Sequence, residues 1–205
     1  SDGENATQYQ AMAAELSGRV RFIDLVATAK GHGPSYAINT GATNAQGSYV
    51  CFLDDDDYWT DSEHLARAAE IIQGAGGKVD VYMTNQHAYQ NETRRTENVW
   101  LEGLLQQVRR PLSANRFGAY EVTAADLMQC SGFSHLNTTI VRRDFFLQIG
   151  GMDNRIRYEG DRDFYLRLVD AAATILYVPE VVSRHNIPDA VAKTSESTAA
   201  PLLEK

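Results

Sequence analysis

The chain has 205 residues, 43% hydrophobic and 22% charged, ordinary proportions for a globular domain with a sizeable core. A net charge of −8 and a pI near 5.1 argue against non-specific nucleic-acid binding, which depends on Lys and Arg neutralising phosphates. No apolar run is long enough to span a bilayer, no signal-peptide pattern opens the chain, and two cysteines are too few for a disulfide framework.

Taken in order, Ser1-Asp2-Gly3-Glu4-Asn5 has turn chemistry, and the spacing of Tyr9, Met12, Ala13 and Leu16 predicts a helix ending before Gly18. Residues 19–27 (RVRFIDLVA) predict a strand, and Lys30-Gly31-His32-Gly33-Pro34 a loop. Residues 35–46 predict a helix whose small-residue face (Ala37, Ile38, Gly41, Ala42, Ala45) would pack closely on a sheet. Gly47 to Leu53 is a short apolar run between a glycine and a turn, which reads as a central strand covered on both faces. Thr60-Asp61-Ser62-Glu63 has the capping-box form and predicts a helix to Gln73 that buries Leu65, Ala68, Ala69 and Ile72. Residues 79–84 (VDVYMT) predict a further strand. Alternating strands and helices are the signature of a largely parallel sheet, so the fold class is α/β.

From Asn85 to about Tyr120 the periodicity dissolves, and a loop of that length is usually functional or mobile. Thr123 would cap a short helix to Met128, residues 137–141 (NTTIV) predict a strand, and residues 144–149 predict a helix closed by Gly150-Gly151. A helix following Asp161 would bury Phe164, Leu166, Leu168 and Val169. Residues 175–178 and 181–182 predict closing strands, with His185 just beyond and a low-information tail from Pro188 to Lys205. Cys51 and Cys130 read as core thiols in a reducing compartment, and the sequons at Asn91 and Asn137 as chance matches.

The run Asp54-Asp55-Asp56-Asp57 carries the chemistry. It follows the Gly47–Leu53 strand directly, and in open α/β sheets ligands gather beyond the carboxyl ends of strands. Four adjacent carboxylates raise one another's pKa unless a cation intervenes, and residues two apart on an extended chain point the same way, so Asp54 and Asp56 could share a divalent ion. Helix capping is the weaker alternative, because the next helix has its own start signal at Thr60. Asp161 and Asp163 also open a helix, where Asp serves as a cap.

These segments occur in a telling order. Gly33-Pro34-Ser35-Tyr36-Ala37-Ile38-Asn39, then Gly47 to Trp59, then Arg142-Arg143-Asp144 through Gly150-Gly151-Met152-Asp153, then Glu159-Gly160-Asp161-Arg162-Asp163 to Leu168 resemble the family 2 glycosyltransferases of GT-A fold. The resemblance implies a Rossmann-like, mixed but mostly parallel central sheet flanked by helices. It implies one GT-A domain over residues 1–186, with a nucleotide-sugar-binding half (1–85), an acceptor and catalytic half (86–186) and a tail (187–205). It further implies an inverting transferase that moves a sugar from a nucleotide-diphosphate sugar, a UDP-type donor first, to a glycan, lipid-linked or other hydroxyl acceptor, as in cell-wall or polysaccharide synthesis.

By the same resemblance Asp161 is the catalytic base, and Asp2, Asn39, Asp54 and Asp55 contact the donor. Asp56 holds Mg²⁺ or Mn²⁺ on the diphosphate, with His185 as a second metal ligand. Two departures stand out. The family's opening strand and helix are missing before Ser1, which reads as a cut inside a domain, and Ile38 replaces an Arg common in relatives. A cytoplasmic location, peripheral at the inner membrane face, is the corresponding expectation. The alternatives are a non-catalytic nucleotide-sugar or glycan-binding module of the same fold, which has no reason to retain both Asp56 and Asp161, and a nucleotidyltransferase, which lacks its basic Gly-rich loop here. A kinase reading lacks the G-x-x-x-x-G-K-[ST] loop.

Overall fold

The computed structural model describes residues 6–16, 20–26, 32–96, 99–156 and 159–187. The described residues open with helices α1 (Ala6–Glu15) and α2 (Pro34–Asn44), then strands β1 (Tyr49–Cys51) and β2 (Tyr58–Trp59), helix α3 (His64–Gly74), and strands β3 (Val81–Gln90) and β4 (Thr93–Arg94). There follow α4 (Leu104–Gln107), β5 (Tyr120–Val122), α5 (Ala124–Leu127), a 3₁₀ turn (Leu136–Thr138), β6 (Thr139–Arg142), α6 (Arg143–Gln148), α7 (Gly160–Ala171) and β7 (Ile175–Asn186). Among the described residues no helix is long and apolar enough to cross a membrane.

The seven described strands form one sheet in the order β1-β6-β3-β7-β2, with β4 on β3 and β5 on β7. It is mixed, as expected, but adjacency differs from the mostly parallel expectation. Only β3 and β7 pair in parallel among the described strands; every other pair is antiparallel. Two of these pairs come from β6, which lies between β1 and β3 and runs against both; the others come from the short strands β2, β4 and β5. Strands β1, β3 and β7 point the same way, as strand–helix alternation predicts for β1 and β3, while the reversed strand between β1 and β3 makes their two ladders antiparallel.

The core follows the two-residue pleat. Val81, Met83, Val141 and Tyr177 face one side, where α2, α6 and α7 cover them. Tyr82, Ile140 and Leu176 face the other, under Ala68, Ile71 and Ile72 of α3. Asp80, buried at the start of β3, locks the register. It pairs with Arg142 at 2.6 Å and accepts the N–H groups of Ala173 and Thr174 at 2.8 and 3.0 Å. Arg143 donates to the carbonyls of Ala42 and Thr43 at the end of α2, at 2.9 and 2.8 Å, so the two arginines tie β6 to β3 and to α2.

Several expectations need correction. Residues 20–26 form no strand, because no described strand runs beside them to complete a ladder. Strand β1 lies at the end of the described sheet, not at its centre. Val50 and Phe52 are buried, but Cys51 is exposed rather than a core thiol, and Leu53 is also exposed. The Thr60 capping box does not form. The Thr60 N–H is drawn to Val182 O at 2.8 Å as an extension of the β2–β7 pairing, and α3 starts three residues past Asp61, whose carboxylate takes the Glu63 N–H at 2.9 Å and pairs with Arg67. The buried stripe of α3 is His64, Ala68, Ile71 and Ile72, packed on the Tyr82 side of the sheet, and Leu65 and Ala69 are exposed.

The polar stretch after Thr84 is not loop throughout. Strand β3 continues to Gln90, since Asn85 and Gln86 are buried in polar company rather than in an apolar core. Thr123 caps α5 as expected, with the reciprocal Thr123–Asp126 hydrogen bonds of a capping box. The two closing strands are one, β7, with register shifts against β3 on either side of Asn85 that accommodate the Pro179 region, because proline can join no inner ladder without a bulge. In α7, Tyr165 replaces Leu166 in the buried stripe, and Leu166 is half exposed.

Candidate active site

Strands β1 and β7 deliver the site's polar groups from their carboxyl ends. The residues after β1 bring Asp54, Asp55, Asp56 and Asp57; the end of β7 brings His185 and Asn186; the middle of β3 brings Gln86. The turn before β6 adds His135 and Asn137, and the first turn of α7 adds Asp161.

Asp57 is the fixed point. Its side chain is fully buried and takes three donors: Asn137 Nδ2 at 2.5 Å, His185 Nδ1 at 2.7 Å and the Asn186 N–H at 2.7 Å. Burial pushes its pKa up, but these hydrogen bonds outweigh burial and hold the carboxyl below the usual range. The opposite balance applies to its partner. Burial lowers the His185 pKa, while Asp57, Asp54 and Asp56 overcome that and raise it.

Asn137, buried in the 3₁₀ turn, is the hub between the halves of the site. Its amide reaches Asp57, its Oδ1 accepts the Asp54 N–H at 2.9 Å, and its carbonyl accepts Trp59 Nε1 at 2.9 Å. Asn186 Nδ2 donates to the Asp56 carbonyl at 2.6 Å. The backbone of the acidic run is thus held at Asp54, Asp56 and Asp57 before any ligand arrives.

The carboxylates of Asp55 and Asp56 remain exposed, and that of Asp54 is part exposed. Burial first, and then the charges of Asp57 and Asp56, push the Asp54 pKa up to about 6. Asp56 is raised by the same causes, burial and Asp57. Such a group gains stability when a cation is added, which is how the acidic run was read from sequence.

Asp161 faces this cluster from α7. The N-cap of that helix is Glu159, held at φ 56°, so the capping role does not fall to Asp161. Its carboxylate is 27% exposed and lies 3.8 Å from His135 Nε2, which is also 3.7 Å from Asp54 Oδ2. Asp163 is used elsewhere, paired with Arg167 at 2.7 Å.

The other sequence-derived candidates are placed differently. The Asn39 amide is occupied, with Nδ2 donating to Met152 O and Asn154 Oδ1 at 2.8 and 2.9 Å and Oδ1 accepting the Met152 N–H at 2.8 Å. It staples α2 to the Gly150–Asp153 turn, where a Cβ on Gly151 would come within 2.4 Å of that Oδ1. Where the resemblance implies a donor contact, the Asn39 amide is thus engaged in a structural tie. Asp2 lies outside the described residues. Trp100 is buried against Phe133, His135 and His185, with ring centroids 5.2–5.5 Å apart, so it walls the site from behind.

Metal-ligand geometry is present. Asp57, His135 and His185 each offer one ligand atom, all within 4.8 Å of one another. The hydrogen bonds favour a different division of labour. Both Asp57 oxygens are already engaged, whereas His185, donating through Nδ1, keeps Nε2 for a ligand in the carboxylate–histidine arrangement typical of metal sites. The oxygen-rich set of Asp54, Asp55 and Asp56 suits Mg²⁺ or Mn²⁺.

The sequence profile described as Glycosyl transferase family 2 matches residues 2–142. The chain belongs to glycosyltransferase family 2. Among curated proteins none matches it. Solved structures of S. aureus TarS share the GT-A fold of this family 2 chain. TarS 1-349 in complex with UDP-GlcNAc superposes with a TM-score of 0.68 at 18% identity, over 92% of this chain and 48% of that one. TarS 1-349 with UDP gives 0.65 at 17% identity, over 91% and 49%, and a longer TarS structure gives 0.65 at 18%, over 90% and 29%. The chain thus spans about half the length of the TarS 1-349 structures, or less of the longer one.

The structure brings together the acidic run, Asp161 and His185, which the sequence singled out, with Asp57 as anchor, His135, Asn137 and Asn186, which it did not. Asn137 carried only a sequon signal, and its burial at 1% exposure removes it from any glycosylation reading. No spacing rule links residue 57 to residues 137 and 185; only the fold brings them together.

Proposed function

We propose that this family 2 domain transfers a sugar, with inversion, from a nucleoside diphosphate sugar to an acceptor hydroxyl, assisted by Mg²⁺ or Mn²⁺. One observation carries the reading: a pre-held row of carboxylates faces a lone carboxylate, Asp161, with a histidine between them. In the proposed arrangement Asp54 and Asp55 contact the donor's nucleoside, while Asp56 and the Nε2 of His185 hold the metal. Asp57 orients His185 and is not itself a ligand. When bound, the ion neutralises charge on the departing diphosphate. Asp161 takes the acceptor proton as that oxygen attacks the anomeric carbon.

TarS is solved with UDP-GlcNAc and with UDP, which supports a UDP-type donor here. Residues 1–85 are proposed as the donor side and 86–186 as the acceptor side. A thermal-shift series with UDP tests the reading, since a ligand that binds only the folded state raises the melting temperature. UDP is expected to stabilise the chain with Mn²⁺ and not with EDTA, and Asp56→Ala and His185→Ala are expected to abolish the shift. Equal stabilisation in EDTA would remove the metal from the proposal.

A further inference from the structure

We propose that His135 is a positioning residue for the transfer step: its Nε2–H, held between Asp54 and Asp161, orients the Asp161 carboxylate to receive the acceptor proton. This rests on the transferase reading above. The ring's proton is assigned by its other nitrogen. His135 is the N-cap of the 3₁₀ turn, and its Nδ1 accepts the Asn137 N–H at 3.4 Å. A neutral imidazole whose Nδ1 is an acceptor carries its hydrogen on Nε2. That nitrogen lies beside both carboxylates, 3.7 Å from Asp54 Oδ2 and 3.8 Å from Asp161 Oδ2.

The ring cannot easily leave this position. His135 is 6% exposed, its centroid lies 5.2 Å from Trp100 and 4.9 Å from His185, and its carbonyl accepts both Thr138 Oγ1 and Thr139 Oγ1, at 3.0 and 2.8 Å. Among the described side chains none hydrogen-bonds the Asp161 carboxylate, and His135 Nε2 is the basic group beside it, at 3.8 Å. Both contacts exceed hydrogen-bond length in this ligand-free site, and catalytic hydrogen bonds often form fully only in the reactive complex.

The same Nδ1 contact separates this role from metal ligation. A ligand needs a lone pair on Nε2, where the cap places a hydrogen instead. In the reaction, the acceptor O–H proton passes to Asp161, the acceptor oxygen forms the new bond to the anomeric carbon, and the old bond's electrons leave with the nucleoside diphosphate. His135 neither gains nor loses a proton.

Imidazole ¹H–¹⁵N spectra of the full chain test the assignment, with His135 identified by the signals missing in His135→Gln. The expected result is the Nε2–H tautomer, with its resonance displaced in Asp161→Asn. An Nδ1–H tautomer, or a resonance indifferent to Asp161→Asn, overturns the proposal. The kinetic arm follows UDP release from UDP-GlcNAc with Mn²⁺ and water as acceptor. His135→Leu is expected to lower kcat by about 10- to 100-fold, with UDP·Mn²⁺ stabilisation unchanged. His135→Gln, which keeps an N–H at similar reach, is expected to recover most of the rate. Unchanged kcat in His135→Leu, or loss of Mn²⁺-dependent UDP binding, overturns it, the latter by making His135 a ligand. If the unmodified chain neither binds nor releases UDP, the transferase reading fails on its own account, and the spectra still decide where His135 carries its proton and whether it senses Asp161.

Discussion

His185 Nδ1 and Asp57 Oδ2 lie 2.7 Å apart although 128 positions separate them in sequence. This contact joins the end of the last strand to the acidic run after the first, and leaves one imidazole nitrogen for chemistry.

Asp57→Asn keeps the volume but replaces a saturated carboxylate with an amide that must set one donor against His185, Asn137 or Asn186. Hydrogen bonds to charged groups contribute about 1.5–3 kcal/mol each, so a loss on the order of 2–3 kcal/mol is expected by urea unfolding. UDP·Mn²⁺ stabilisation should fall in the same variant, because His185 loses its orientation. An unchanged unfolding midpoint would contradict the anchoring role.

Asn137→Ala removes the support of the Asp57 carboxylate and the Asp54 N–H together. Leaving buried polar groups unsatisfied costs about 1–3 kcal/mol each. The expected signature is a loss of stability with a UDP·Mn²⁺ affinity reduced at least as much as in Asp57→Asn. Full UDP binding in a folded Asn137→Ala chain would show that the acidic run holds its shape by itself.

Gly132 packs directly under the Trp100 backbone, and a Cβ there would lie 1.8 Å from the Trp100 carbonyl oxygen. Backbone cannot yield as a flexible side chain does, so Gly132→Ala is expected to cost about 1–3 kcal/mol and to move Trp100 against His135 and His185. Differential scanning calorimetry reads the first effect, and Mn²⁺-dependent UDP binding the second.

His64 predicts a pH effect remote from the acidic run. It is 1% exposed under Trp59 and Tyr82, and neither ring nitrogen has a hydrogen-bond partner among the described residues. Burial lowers its pKa, with Asp61 opposing and Arg67 assisting. The unfolded chain therefore takes up this proton near pH 6.5 while the folded chain does not. Stability should be unaffected by this group above about pH 6.5 and fall as pH drops below it, by at most about 1.4 kcal/mol per pH unit. His64→Phe is expected to remove that part of the slope; an unaltered profile would assign it to other groups.

The legible parts of the fold were the local ones. The Thr123 cap and the paired glycines after α6 are written within a few neighbouring positions, and they formed, whereas the stripe of α7 was legible only in part, with Tyr165 buried in place of Leu166. The box at Thr60 had the same local form and failed, because its N–H had a better partner on Val182. Strand β3 was cut short in the reading at Thr84, because Asn85 and Gln86 look like loop residues until a buried polar cluster surrounds them.

By itself the sequence determined that β1 and β3 run in one direction, through the alternation of strands and helices up to Thr84, and that carboxylates cluster beyond the first of these strands. It also ordered the segments by which the family was recognised. Tertiary structure alone decided that β6 intervenes, that Asp57 rather than its exposed neighbours is buried as the anchor, and that His135 stands between Asp54 and Asp161. Periodicity and capping act over a few residues and leave a trace in spacing. Which acid loses its water depends on groups some 80 and 128 positions away, and such closures leave no pattern in the chain.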